Sequence, residues 1–164
     1  MLLYIPGPLK KAFRENLEDW LAGGPKDGGW TRTGPTFPTM RATLVGYRYV
    51  DADIDDVLSK NAGEVDRWHV GFLRDHSVVE DTPYYKEYLH PRYGDEAGQK
   101  AVNFLNLYED IEQNGVREPV WLADVPGIGP FRFDGCHRAA AAKVLGLRAV
   151  PAIFFTAELV SDDA

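Results

Sequence analysis

The sequence has a single cysteine, no long apolar run and no cluster of basic residues, and each absence excludes a class of protein. Cys136 alone cannot form an internal disulfide framework or a zinc site built from cysteines. The apolar start, residues 1–5, is followed at once by Pro6, and such a short run cannot be a signal-peptide core or a membrane span. We therefore expect a soluble, cytosolic protein with no membrane partner.

The charge of the chain bears on its partners. The net charge is −7, and most of the acidic excess lies in residues 66–164. Counterion release on DNA requires clustered lysine and arginine, which the sequence does not contain. The composition therefore disfavours tight, sequence-independent binding of nucleic acid, although it leaves room for a local basic patch.

Residues 1–65 match no motif, and we treat them as an N-terminal extension. An amphipathic helix is predicted over 9–21, because its apolar residues recur at helical spacing. Glycine, proline and threonine predict an irregular loop over 23–38. A strand is predicted over 41–50 and a short acidic helix over 51–62.

From residue 66 onward the pattern predicts the order strand, helix, strand, strand, helix, strand. The predicted elements are a short strand His69–Leu73, a helix 101–113 that ends at Gly115, strands Pro119–Ala123 and Phe131–Phe133, a helix Ala139–Leu145 that ends at Gly146, and a buried strand Val150–Phe155. This order predicts an α/β (α+β) domain with a small mixed sheet, occupying residues 66–164.

The segment that indicates a function is residues 131–140, where a strand gives way to a helix through one glycine. The free N–H groups and the dipole at the start of such a helix favour an anion. Gly135 lets a phosphate approach the backbone, while Arg138 and His137 can donate hydrogen bonds to it. In the alternative interpretation, Asp134 merely caps the helix and Arg138 pairs with a nearby acid. The segment alone leaves both interpretations open.

The motif Asp134–Arg138 (Asp-Gly-Cys-His-Arg), followed by an alanine-rich helix, Leu-Gly-Leu and a Val-Pro-Ala-Ile strand, resembles the signature of the ParB/sulfiredoxin superfamily. The helix 103–115 and the strand 118–121 fit the same pattern, and 77–85 resembles the turn before that helix. The resemblance covers roughly the last 95 residues, the size of one small domain. It implies a nucleotide-binding domain at 66–164 with an N-terminal extension.

Members of this superfamily differ in their chemistry. Sulfiredoxins use Phe-Gly-Gly-Cys-His-Arg with a nucleophilic cysteine and ATP, ParB proteins use Gly-Glu-Arg-Arg with CTP, and free serine kinases use Asp-Gly-His-His-Arg. This chain combines the Cys-His-Arg of the first with the aspartate of the last. Asn103, Asn106 and Asp110 stand where the sulfiredoxin helix offers lysine, serine and threonine, and no ParB-like DNA-binding domain follows Phe155. A partition clamp is therefore not expected.

The resemblance implies nucleotide-dependent phosphoryl transfer, by a kinase or an NTPase, to a hydroxyl-bearing acceptor. ATP or another nucleoside phosphate would be the cofactor, together with Mg²⁺ held by Asp134. The residues that would bind the nucleotide are Gly135, Cys136, His137, Arg138 and Asn106. Glu80 would be the general base for the acceptor, with His137 and Cys136 as further catalytic residues. In the plainer interpretation Cys136 only fills the turn, and Glu80 and Asp81 are solvated.

Two other functions remain as alternatives. One is a non-catalytic, ParB-like accessory protein that binds nucleotide or DNA. The other is a sulfiredoxin-like, ATP-dependent thiol enzyme, which depends on Cys136 as a thiolate.

The histidines and tyrosines outside the motif have structural explanations. His69, His76 and His90 share no metal-ligand spacing with one another, so each is predicted to be structural or exposed. Four tyrosines over 84–93, interleaved with Lys86 and Arg92, could stack on bases. Because acidic residues lie among them, a packed surface helix is favoured.

Overall fold

The computed structural model describes residues 29–34, 37–58, 64–125 and 129–160. Within these ranges the chain forms an α/β domain with a mixed sheet, which confirms the predicted fold class. The helix predicted over 9–21 lies outside the described residues. No helix within the described ranges is both long and apolar enough to cross a membrane.

Among the described residues, five strands form one sheet in the order β1-β2-β5-β3-β4. They are β1 (Gly29–Gly34), β2 (Phe37–Asp53), β3 (Val120–Val125), β4 (Gly129–Asp134) and β5 (Ala149–Val160). β3 and β5 are parallel, and the other three pairs are antiparallel. The segment treated as an N-terminal extension therefore supplies two strands of this sheet: β2 pairs with β5, and β1 pairs with β2.

In the part of the chain that the structure describes, five α-helices accompany the sheet. They are α1 (Ile54–Val57), α2 (Glu64–Arg74), α3 (His90–Tyr93), α4 (Ala97–Asn114) and α5 (Cys136–Val144). A 3₁₀ turn (Val79–Asp81) and a π-helical segment (Tyr84–Leu89) connect α2 to α3. The four tyrosines over 84–93 thus lie on helical segments, and Tyr84 is buried.

Helix α5 is the centre of the packing. Its four alanines, Ala139 to Ala142, are fully buried and belong to two hydrophobic clusters. One cluster includes Phe72, Tyr84 and Phe104 from α2, the π-helical segment and α4. The other joins α1 to β3 and β5. Small side chains allow neighbours to approach α5 on several sides, which fixes the position of its N-terminus.

The sequence predictions for the second half of the chain are largely confirmed. The helix predicted over 101–113 is α4, which begins earlier, and Gly115 follows it with φ +75°. The three strands predicted after it correspond to β3, β4 and β5, with small differences at their ends. The helix predicted at Ala139–Leu145 is α5, which begins at Cys136.

Three local predictions are wrong. His69–Leu73 is not a strand but part of α2, because Asp66, His69, Phe72 and Leu73 recur at helical spacing and are all buried. The irregular loop predicted over 23–38 contains β1 and the start of β2, whose pairing overrides the glycine and proline signals. In the described part of the acidic helix predicted over 51–62, residues 51–53 complete β2 instead, and the helical residues are those of α1; residues 59–62 lie outside the described residues.

Candidate functional site

The turn between β4 and α5 requires glycine for two reasons. Gly135 has φ +102°, a conformation that residues with a Cβ rarely adopt. A Cβ at this position would also lie 2.5 Å from Cγ1 of Val120 on β3. The first backbone hydrogen bond of α5 runs from the N–H of Ala139 to the carbonyl of Gly135 (2.9 Å). The N–H groups of residues 136–138 therefore lie outside the ladder of the helix, as an anion site requires.

Asp134 orders this turn rather than capping the helix. Its Oδ1 accepts a hydrogen bond from the N–H of Gly135 at 2.9 Å. The N-cap residue is Gly135 itself, and within the described residues no side chain caps α5. The role of cap that the alternative interpretation gives to Asp134 is therefore wrong. Asp134 is partly exposed, so its carboxylate is accessible to a ligand.

Arg138 lies between two carboxylates. Its guanidinium donates to Oε2 of Glu118 at 3.1 Å and lies 3.4 Å from Oδ2 of Asp134. The Arg138 side chain is 13% exposed, whereas that of Glu118 is 84% exposed. Arg138 thus pairs with acids, as the alternative interpretation expects. A guanidinium has five N–H donors, however, so these pairs leave donors for a further anion.

These residues line a cleft of about 250 Å³ at the N-terminus of α5, which we call the polar cleft. Its lining residues are Leu107, Glu118, Asp134, Gly135, His137 and Arg138. A second cavity of about 250 Å³, the aromatic pocket, is lined by Tyr84, Tyr88, Leu89, Tyr93, Lys100, Asn103, Phe104, Leu107 and His137. His137 and Leu107 belong to both, so the two cavities adjoin.

His137 stands where the cavities meet. Its Nε2 lies 3.3 Å from the Tyr84 hydroxyl, and its Nδ1 lies 3.7 Å from Sγ of Cys136. Burial favours the neutral imidazole, but the hydrogen bond to Cys136 and the charge of its thiolate outweigh that effect, so the pKa of His137 is raised. Burial also raises the pKa of Tyr84, which keeps its hydroxyl protonated. His137 can therefore donate a proton or a hydrogen bond near neutral pH.

His69 is a member of this site that the sequence reasoning missed. It projects from α2, is 1% exposed, and its ring centroid lies 4.5 Å from that of His137. The ligand atoms of His69, Cys136 and His137 all lie within 4.8 Å of one another. The spacing between histidines could not reveal this cluster, because its other members belong to the motif. The signal available in the sequence was a histidine at helical spacing from the apolar residues Phe72 and Leu73.

The structure places other predicted site residues elsewhere. Glu80 is exposed on the 3₁₀ turn, and the adjacent Asp81 pairs with Lys86 (3.2 Å) and lines a separate cavity.

Asn106 is exposed on α4, whereas Asn103 lines the aromatic pocket. Lys100, Asn103, Phe104 and Leu107 share one helical face, and Asn106 lies off that face.

His76 and His90 have the ordinary settings that the sequence predicts. His76 is half-buried, with Nδ1 3.1 Å from the carbonyl of Phe72. His90 is exposed, and its ring packs against Tyr85.

A buried ion pair supports the strand that leads into the site. Arg132 on β4 pairs with Asp66 on α2 at 2.7 and 3.1 Å, and it also donates to the carbonyl of Val57 at 2.8 Å. Both side chains are less than one tenth exposed. The pair therefore links β4, α2 and α1 just before the turn at Gly135.

The site thus combines two kinds of recognition. The polar cleft offers a helix N-terminus, a guanidinium and two carboxylates, and the aromatic pocket offers ring faces beside it. No family model, curated protein or solved structure matches this chain.

Proposed function

We propose that this chain binds a nucleoside phosphate across the two cavities and transfers its terminal phosphoryl group, as a kinase or an NTPase. The observation that carries the proposal is that the polar cleft and the aromatic pocket share His137 and Leu107. A nucleotide has one planar, apolar end and one anionic end, so it matches this pair of cavities. The resemblance of residues 134–138 to the ParB/sulfiredoxin motif supports the same assignment.

The phosphate groups would occupy the polar cleft. The N–H groups at the start of α5 lie outside the ladder of the helix, so they can donate to an anion. Arg138 is already held in place by Glu118 and Asp134, so it loses little conformational freedom on binding. Its donors would reach the phosphate oxygens.

The two carboxylates would repel a phosphate unless a cation came with it. Mg²⁺ prefers one or two carboxylates together with phosphate oxygens, and Asp134 and Glu118 fit that preference because both line the cleft. Asp134, with Glu118, would therefore hold the ion. When bound, Mg²⁺ neutralises charge on the phosphate groups.

The base would occupy the aromatic pocket. Tyr84 and Tyr88 are stacked there, with ring centroids 5.7 Å apart and planes 18° apart. Stacking of a base on aromatic side chains contributes about 1–3 kcal/mol and tolerates any base. Lys100, whose ammonium lies 5.0 Å from the centroid of Tyr93, adds a positive charge to the wall of the pocket.

Phosphoryl transfer needs positioning and charge neutralisation more than covalent help. His137 has a raised pKa and lines the cleft, so its imidazolium form would add positive charge beside the phosphate groups. The acceptor hydroxyl would be deprotonated by Glu80, a role proposed from the resemblance of residues 77–85 to the turn of the superfamily. In this structure Glu80 is exposed on a turn that packs near α4.

The proposal is tested by nucleotide binding. Calorimetry with ATP, ADP, CTP and GTP, each with and without Mg²⁺, should give measurable affinity for at least one of them. Arg138→Ala should weaken that affinity at least about tenfold, because a charge-assisted contact contributes about 1.5–3 kcal/mol. Arg117→Ala is the matched control, since Arg117 also pairs with an acid, Asp110, but is exposed.

Two outcomes would refute the proposal: no nucleotide binds, or folded Arg138→Ala binds as tightly as Arg117→Ala. Binding without turnover for any hydroxyl acceptor or water would instead favour the non-catalytic accessory protein.

One observation favours a second candidate, the ATP-dependent thiol enzyme. Sγ of Cys136 is close to an imidazole nitrogen of His137, and Cys136 starts a helix; both features stabilise a thiolate. Cys136→Ser separates the two candidates. A phosphotransferase should keep most of its turnover, because the backbone N–H of residue 136 does the binding, whereas a thiol enzyme should lose turnover and keep its nucleotide affinity.

A further inference from the structure

Three side chains from two separate parts of the sequence meet between α2 and the start of α5. The imidazole nitrogens of His69 and His137 and the sulfur of Cys136 lie within 4.8 Å of one another. We propose that these three residues bind a zinc ion. The proposal does not rest on nucleotide binding, and the site is distinct from the carboxylates proposed for Mg²⁺.

The distance between the two ligands on α5 already suits zinc. Zinc binds thiolate at about 2.3 Å and imidazole at about 2.0–2.1 Å, so tetrahedral coordination places sulfur and nitrogen about 3.6 Å apart. Sγ of Cys136 and Nδ1 of His137 are 3.7 Å apart. The separations of up to 4.8 Å within the cluster exceed that value, so zinc would draw the ligand atoms closer together.

The orientation of the His137 ring is a second, independent observation. Its Nδ1 faces the sulfur of Cys136, whereas Nε2 lies 3.3 Å from the hydroxyl of Tyr84. A histidine that binds a metal through one nitrogen almost always donates its other N–H to an oxygen, which fixes the tautomer and the ring. The buried Tyr84 hydroxyl is placed to accept that hydrogen bond.

The donor set selects the type of ion. A thiolate and two imidazoles suit zinc and other borderline or soft transition metals, whereas Mg²⁺ and Ca²⁺ prefer oxygen ligands. Three protein ligands also leave one of four positions for water or an anion, as in catalytic zinc sites. The site is therefore expected to bind zinc with one exchangeable position.

Zinc alone is the probe, added to full-length protein that has been treated with a chelator. Calorimetry should show one zinc ion per chain, and Co²⁺ as a substitute should give a thiolate-to-cobalt charge-transfer band. Cys136→Ser and His69→Phe should each lower zinc affinity by about a hundredfold or more. Loss of a residue that only supports a ligand costs about 10–100-fold, and loss of a ligand itself should cost at least as much. Cys136→Ser should also abolish the cobalt band. His90→Gln, which changes an exposed histidine, is the control and should bind normally.

The proposal is overturned if no stoichiometric zinc binds, or if Cys136→Ser keeps the affinity or the cobalt band. His69 is buried, so the fold of His69→Phe is checked by circular dichroism, and Cys136→Ser decides the question should that variant unfold. Arg138→Ala should retain zinc while binding nucleotide at least about tenfold more weakly. Failure of the zinc site and failure of the proposed function are therefore distinguishable.

Discussion

Adding one methyl group at Gly135 tests the turn on which the site is built. Alanine at φ +102° must adopt a left-handed conformation, which costs about 1–2 kcal/mol. Its Cβ would also lie 2.5 Å from Cγ1, 2.9 Å from Cβ and 3.1 Å from Cα of Val120. Rotation can move Cγ1, but Cα belongs to β3, so the strand itself must shift.

The magnitude follows from these two effects. Forcing an extra methyl group into a packed region costs about 1–3 kcal/mol. Together with the backbone cost, Gly135→Ala should lower the free energy of unfolding by about 2–5 kcal/mol. Gly146→Ala is the matched control, because Gly146 has φ +75° and a Cβ added there would meet no atom within 4 Å. It should show only the backbone cost, about 1–2 kcal/mol.

Urea unfolding of both variants measures the difference. A double-mutant cycle then isolates the clash, because Val120→Ala removes Cγ1 and should reduce the cost of Gly135→Ala. If Gly135→Ala is no more destabilising than Gly146→Ala, the close approach of this turn to β3 is wrong. The phosphate site would then lose its structural basis.

Three further perturbations test other parts of the structure. Arg132→Met leaves the carboxylate of Asp66 buried beside an apolar side chain, so urea unfolding should show the free energy of unfolding lowered by about 3–5 kcal/mol. A decrease below about 1 kcal/mol, which is typical of an exposed ion pair, would contradict the buried pair. Gly71→Ala should stabilise the protein by about 0.5–1 kcal/mol, because Gly71 is a solvent-exposed residue in the middle of α2 and the added methyl group would meet no atom within 4 Å. Destabilisation by this change would argue against the helix. Glu80→Gln should lower kcat by about 10²–10⁴-fold with little change in nucleotide affinity. Normal turnover by this variant would show that Glu80 is not the base, and Asp81→Asn then tests the neighbouring carboxylate.

The elements that sequence analysis predicted well carry strong local signals. The apolar residues of α4 recur at helical spacing and Gly115 follows its end, so both the helix and its end were predictable. The alternation of short apolar strands and glycine-rich turns from residue 119 onward similarly predicted β3, β4 and β5. In these segments the local preference and the tertiary packing agree.

The local predictions failed where distant partners decide the structure. The apolar run at His69–Leu73 is short enough for a strand. The helical spacing of buried residues begins at Asp66, and it becomes visible only when Asp66 is known to be buried against Arg132. Gly29 and Gly34 resemble parts of a loop until β2 supplies a partner for β1. Neither partnership can be derived from spacing within a segment.

The site divides in the same way. Gly135 and Arg138 were predictable because a strand, one glycine and a helix follow each other directly in the sequence. The neighbours that define their chemistry come from elsewhere: Glu118 from the segment before β3, and His69 from α2. The aromatic pocket depends on α4 and the π-helical segment packing against α5, which no motif encodes.

His137 makes the two proposed ligands interdependent. Its Nδ1 faces the sulfur of Cys136, and its ring lines both the polar cleft and the aromatic pocket. A thiolate at the start of α5 opposes the binding of phosphate there, whereas zinc on that thiolate would replace a negative charge by a positive one. Zinc should therefore strengthen nucleotide binding by the unchanged protein, whereas Cys136→Ser should bind nucleotide as the zinc-free protein does. Because a coupling free energy is reciprocal, the nucleotide must then raise the affinity for zinc by the same factor.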